Sequence, residues 1–256
     1  HSSAAYAQPG HPVHTLKLEN QVLQSLLTDE IDSLLVKTSK GDWSVKERLI
    51  AALTDLLQIE KHYTRKETLI FAYMEKYGIT APPQVMWGVD DDIRVMAKEL
   101  VAYTKGEKVA YNPLVEKWET IKNEIEEMIF KEEEIMVPMI LDVFSLKDWE
   151  KIASDSFEIG FAYIPEPLPF KASQEDIAKE LAREPLRLAA IQQAKETTDA
   201  IAAGLKSESI AMEETYDWEQ TNTADTVVLP TGVLQLNQLI ALFQALPVDL
   251  TYVDAN

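Results

Sequence analysis

The sequence predicts an all-α protein: an antiparallel up-down four-helix bundle followed by a helical C-terminal extension. Three observations predict it. The 256 residues hold only 8 glycines, while Leu, Glu, Ala, Ile and Lys are plentiful, which favours helix over strand. Apolar residues recur at three- and four-residue steps along four long stretches, the period of a helix that buries one face. Short breaks marked by Gly, Pro and Asn separate those stretches, and short connections make successive helices antiparallel neighbours. With 46% hydrophobic residues the chain can fill one sizeable core.

Residues 1–10 read as a linker ending in Pro9-Gly10. A first helix is expected from Pro12, a favoured first-turn residue. Its stripe is Leu16, Leu23, Leu26, Leu27, Ile31, Leu34 and Leu35, and it ends near Lys40-Gly41. Asp42 reads as the N-cap of the second helix. Leu49, Leu53, Leu56, Leu57 and Ile59 carry that helix to His62, and Leu69, Ile70, Phe71 and Met74 carry it on to Gly78. A third helix is expected to start within 84–90 and run to Gly106, after Ala81-Pro82-Pro83. Asn112-Pro113 reads as cap and first residue of the fourth, which passes Trp118, Ile121, Ile125 and Ile129 and ends between Ile140 and Phe144. Pro138 should kink it or lie near its end. A short fifth helix is expected from Leu146 to Gly160. The chain then changes character at Ile164-Pro-Glu-Pro-Leu-Pro169. Residues 174–212 read as polar, alanine-rich helix, 213–225 as an acidic, weakly patterned stretch, and 250–253 as a strand that stops with the chain at Asn256.

Composition bounds the function. Cysteine is absent, which excludes disulfides, thiolate metal sites and cysteine nucleophiles, and fits a cytoplasmic location. A net charge of -19 argues against nucleic acid, whose phosphates it would repel. No apolar run reaches the ~20 residues that span a bilayer. The start, His1-Ser-Ser-Ala-Ala-Tyr6, lacks the basic and apolar regions of a signal peptide and reads as the cut end of a longer protein.

The stretch around which the bundle is organised is His62-Tyr-Thr-Arg-Lys-Glu67, an imidazole and a carboxylate on one amphipathic helix. The second and fourth helices resemble each other in register: His62, Lys66, Glu67 and Phe71 fall opposite Met128, Glu132, Glu133 and Val137. The first and third can be matched similarly, Asn20 opposite Asp90 and Leu23 opposite Ile93. Two helix pairs repeated in one bundle suit a metal site on a pseudo-two-fold axis.

Four motifs together, Gly10-His-Pro-Val-His14 through Asn20, His62 through Glu67, Val85-Met-Trp-Gly-Val-Asp90-Asp91 and Lys131-Glu-Glu133, resemble the hemerythrin-like HHE cation-binding family. More narrowly, the chain is similar to bacterial proteins that join a domain of unknown function, an HHE module and a C-terminal PAS sensor domain. Leu229-Pro-Thr-Gly232 and Leu246 through Asp254 resemble the entry to that PAS domain. The resemblance implies the divisions 1–10 linker, 11–165 hemerythrin-like bundle, 166–226 helical connector and 227–256 start of a truncated PAS-like domain. It further implies one or two non-haem iron ions, with zinc or manganese as alternatives. Carried over by position, the metal ligands are His14, His62, Glu67, Asp90 and Glu133. The partners implied are the metal ion, a diatomic gas and the PAS domain of the same polypeptide, with a homo-oligomer as a further arrangement.

The sequence departs from the family pattern. Of the positions Asn20, His62, Asp90 and Met128, where that pattern has histidine, only His62 is one. The usual Glu four residues after it is Lys66, and Glu67, five residues on, lies about 140° around an ideal helix. His14, six residues before Asn20, sits nearer the level of Glu67, so a displaced His14–Glu67–Glu133 cluster is a second arrangement. Imidazole with carboxylate suits iron, manganese or zinc. The reading is a metal-binding module of a cytoplasmic sensor that responds to oxygen, nitric oxide or redox state. The alternative is a metal-free helical scaffold in which Lys66 neutralises the interior. A carboxylate-bridged di-metal oxidase or peroxidase ranks last, since no substrate pocket is legible.

Overall fold

A computed structural model describes residues 3–215, and every regular element among them is helical. After a short turn of helix, α1 (Ser3–Tyr6), the first bundle helix comprises α2 (Pro12–Ser25), a π-helical segment (Leu26–Ile31) and α3 (Asp32–Ser39). The second comprises α4 (Lys46–Leu56), α5 (Ile59–Arg65), a π-helical segment (Lys66–Ile70) and α6 (Phe71–Lys76). The third is the unbroken α7 (Ala81–Lys105). The fourth comprises α8 (Tyr111–Phe130), a π-helical segment (Lys131–Met136) and α9 (Val137–Val143). Two helices follow, α10 (Leu146–Ile159) and α11 (Gln174–Thr215). The expected PAS-like strand and the end of the connector lie outside the described residues. No helix among the described residues is long and apolar enough to cross a membrane.

The expected stripes make the core. Leu23, Leu27, Ile31, Leu49, Leu53, Phe71, Met74, Ile93, Trp118, Ile125 and Ile140 are all buried in one apolar cluster. Helix ends differ from expectation in three places. Asp42 accepts from the Ser44 amide and so caps a turn, leaving Lys46 to open the helix. Pro82 and Pro83 sit inside the first turn of α7, where their missing N–H groups cost nothing. Tyr111, one residue before Asn112, opens α8. Pro138 does lie near the end of the fourth helix, just after the π segment, whose altered bonding accommodates a residue that cannot donate.

The fifth helix packs against α2, α5 and the π segment of the second bundle helix. Ser145 and Asp148 form a reciprocal capping box at its start. At its far end Gly160 and Tyr163 both adopt positive φ, 93° and 67°, turning the chain back across the second helix. Tyr163 is held there by its hydroxyl, which donates to the Leu56 carbonyl at 2.8 Å. The proline-rich stretch then passes Gly10, where an added Cβ would meet the Leu168 carbonyl oxygen at 2.2 Å, so only glycine fits.

Candidate functional site

The centre of the bundle holds a chain of charged side chains. Glu19 lies among the apolar positions of α2, and His62 and Arg65 lie on the inner face of α5. Lys66 opens the π segment of the second helix, and Lys131 opens that of the fourth, immediately before Glu132. Local π geometry turns successive residues away from the α-helical schedule, and such segments recur at functional sites. Asp90 comes from α7, and all of these residues are buried.

Their bonds run in sequence across the bundle. Arg65 Nη1 donates to Glu19 Oε2 at 2.7 Å, and Arg65 Nη2 donates to Glu19 Oε1. Glu19 Oε1 lies 3.0 Å from His62 Nδ1, and His62 Nε2 lies 2.8 Å from Glu132 Oε1. The other Glu132 oxygen accepts from Lys66 Nζ at 2.7 Å, and Lys66 Nζ also donates to Asp90 Oδ1 at 2.8 Å. Basic and acidic groups therefore alternate from Arg65 to Asp90. Asn20 Nδ2 supports Glu132 at 3.0 Å and reaches Glu133 at 3.1 Å. Toward the surface, Arg94 grips both oxygens of Glu67 at 2.7 Å and also reaches Glu60 and Asp91. At the other end, the Ala162 amide donates to Glu19 Oε2 at 2.6 Å and Arg65 donates to the Gly160 carbonyl at 3.2 Å.

The electrostatics follow from these partners. Burial alone would lower the pKa of His62, but Glu132 and Glu19 raise it to about 9. An imidazole with carboxylates on both nitrogens is a doubly protonated cation. Burial opposes ionisation of Glu19, yet His62 and Arg65 bring it down to about 2. Glu132 is held well below the carboxylate range by His62 and Lys66, again against the cost of its burial. Burial would also discharge Lys66, but Asp90 and Glu132 keep its pKa above the usual lysine value. Asp90 is pushed up, chiefly by burial and also by Glu67 and Glu132, and its Oδ2 is a buried oxygen with no hydrogen-bond partner.

The residues expected to bind metal are thus divided. His62 and Asp90 lie in the central chain. Glu67 faces Arg94, with a separate cation engaging both oxygens. Glu133 is half-buried and meets Asn20, while its neighbour Glu132 is the glutamate that enters the core. His14 is half-buried beside His11 on the first turn of α2 and makes none of the bonds in the chain. His11 is structural: its Nδ1 accepts from the Val13 amide at 3.0 Å, and its ring packs on Trp149 and Phe170. Burial drives its pKa down to about 3. Glu19, Arg65 and Glu132 in the core, and Arg94 on Glu67 nearer the surface, are the residues the sequence reading did not assign to the site. One signal for Glu132 was available, since the internal register already set it opposite Lys66.

Lys131 is a buried cation of a different kind. Its Nζ has no hydrogen-bond partner, and Glu127, 3.8 Å away, is its ion pair. Burial lowers its pKa to about 8. Removing a poorly satisfied buried charge relieves its desolvation, so Lys131→Met is expected to stabilise the fold by about 1–3 kcal/mol in urea unfolding at neutral pH. An equal loss of stability would show that Glu127 compensates the burial.

The Hemerythrin HHE cation binding domain model matches residues 11–140, more than half of the 256-residue chain. The chain belongs to the hemerythrin HHE family. No curated protein matches it. Domains of this family are metal-binding helical modules, and the metal is typically iron. The donor set of this hemerythrin-family chain does not fit such an ion. A ligating histidine needs a ring nitrogen free of hydrogen, and both nitrogens of His62 face carboxylates. Both oxygens of Glu132, both of Glu67 and one of Asp90 are engaged by nitrogen donors of His62, Asn20, Lys66 and Arg94. Among the described residues, no group of three or more His, Asp and Glu side chains is placed to hold a metal. Beside the chain, a cavity of about 20 Å³ lined by Thr15, Leu16, His62, Arg65, Lys66 and Ile152 has room for one water.

Proposed function

We propose that this chain is a hemerythrin-family bundle whose central cation is its own Lys66 ammonium, and that it serves as a metal-free helical scaffold carrying α11. The observation that supports this reading is the position of Lys66 Nζ, 2.7 Å from Glu132 and 2.8 Å from Asp90, with His62 on the other Glu132 oxygen. A tethered ammonium there supplies the positive charge that buried carboxylates require. It cannot be exchanged or change oxidation state.

Family membership and the free Asp90 Oδ2 favour a second reading: an iron-binding sensor module that answers oxygen, nitric oxide or redox state and signals to a PAS domain. In that reading Lys66 gives up both carboxylates and His62 loses a proton when metal enters. Elemental analysis separates the two. Protein purified without chelator, then incubated anaerobically with ferrous iron and desalted, is expected to carry iron, zinc and manganese far below one ion per chain. Stoichiometric iron in either sample would end the metal-free reading and establish that the bundle binds iron.

A further inference from the structure

The small cavity beside the charge chain has charged walls of one sign. Its volume is about 20 Å³, and the charged side chains lining it are His62, Arg65 and Lys66. No Asp or Glu among the described residues lines it, although acids outnumber Lys and Arg by 43 to 24 in the chain. Helical placement explains the sorting. Arg65 and Lys66 lie three and four residues after His62, so the three side chains share a face. Glu19, Glu132 and Asp90 bond to them from other helices, and none of these acids lines the cavity. Most of the remaining wall is apolar, with Leu16, Ile152 and Ala153 inside and Phe161 and Leu168 contributed by the strap. Apolar walls strengthen the pull of a fixed charge relative to its pull in water.

We propose that this cavity is an anion site that takes one monovalent ion of chloride size. Sign selects an anion, because a cation would meet three like charges. Size selects the class: the space suits about one water molecule, so a halide fits and phosphate or sulfate does not. Arg65 has hydrogen-bond donors to spare. Its Nη1 donates to Glu19 and to the Gly160 carbonyl, and its Nη2 donates once to Glu19. Three of the five guanidinium N–H groups are thus used, and two have no acceptor among the described residues. Lys66 and His62 attract through charge alone. Lys66 Nζ donates to Glu132 and Asp90 and lies 4.4 Å from the Tyr63 ring centroid, and both His62 nitrogens face carboxylates. A water in the cavity would also accept from Arg65, but hydrogen bonds between a cation and an anion are about twice as strong as neutral ones. The inference rests on the metal-free reading, since Lys66 keeps its place in the wall only while no metal ion displaces it.

The test is the melting temperature of the full chain, purified without chelator and checked for metal by elemental analysis, as sodium chloride replaces sodium gluconate at constant ionic strength. Gluconate is too large for the cavity and serves as the inert anion. Melting temperature is expected to rise with chloride and keep to the logarithmic form of binding to the folded state alone, and bromide is expected to substitute for chloride. Ala153→Leu fills the cavity from α10 without touching the charge chain, and it is expected to weaken the apparent chloride affinity by at least about tenfold. Arg65→Lys keeps the charge but removes the spare N–H groups, and it is expected to weaken that affinity too. In the parent itself, the nuclear resonance of chloride is expected to broaden on adding protein and to sharpen again on adding bromide. A metal-free parent whose melt ignores chloride, or that leaves the resonance sharp, overturns this inference and leaves the metal-free reading standing. A chloride response unchanged in a folded Ala153→Leu chain overturns it as well, because the ion then binds elsewhere. Stoichiometric iron in the parent overturns both together.

Discussion

Glu132→Ala is expected to destabilise the fold by about 3–5 kcal/mol, the usual loss when one member of a buried ion pair is removed. The cause is what remains: His62 and Lys66 stay in the core with half of their compensating charge gone, and Asn20 loses an acceptor. Glu133→Ala, one residue along, is expected to cost under about 1 kcal/mol, because that side chain is half-buried and makes a single bond to Asn20. Chemical unfolding of the two variants beside the parent checks the contrast. Equal losses would mean that the charge chain contributes nothing particular to stability.

The second large effect is on pH. Glu19 titrates near 2 in the folded protein, below its ordinary value of 4.5. Its contribution is therefore complete above about pH 4.5 and is lost as pH falls toward 2. His11 acts in the same direction: buried neutral with a pKa of about 3 against an ordinary 6.5, it favours unfolding increasingly as pH drops through that range. His62 has the opposite sign. Its pKa is raised to about 9, so its contribution is complete below about pH 6.5 and disappears as pH rises through 9. Melting temperature is thus expected to peak near neutrality and fall on both sides. His62→Gln should flatten the alkaline limb between about pH 6.5 and 9 while leaving an acid limb. An alkaline limb that persists unchanged in His62→Gln would remove His62 from the account.

Much of the scaffold was legible because apolar spacing reports helix faces directly. The stripes from Leu16 to Leu35 and from Leu49 to Met74 both became core, and Gly78, Gly106 and Gly160 ended helices where expected. The interior chemistry was only half legible. A histidine within a helical stripe stands out, so His62 was found. A glutamate within a stripe does not, so Glu19 passed unmarked among the leucines of α2. The run Glu132-Glu133-Glu134 posed a harder choice, since three neighbours must point in three directions. The π segment beginning at Lys131 decides which of them turns inward, and nothing in apolar periodicity announces an extra residue in one turn. Glu67 illustrates the same point. Five residues past His62 it was expected to reach the centre, but the structure turns it to Arg94, a residue whose partner lies on another helix and leaves no local trace.

The amide of Ala162 bears on where this unit can be cut. Glu19, near the beginning of the bundle, takes one of its bonds from a residue well past the end of the matched family region at 140. A fragment trimmed to that boundary would lack the strap that crosses Arg65 and would open the Glu19 carboxylate to water. A recombinant fragment ending at 140 is therefore expected to melt below the full chain.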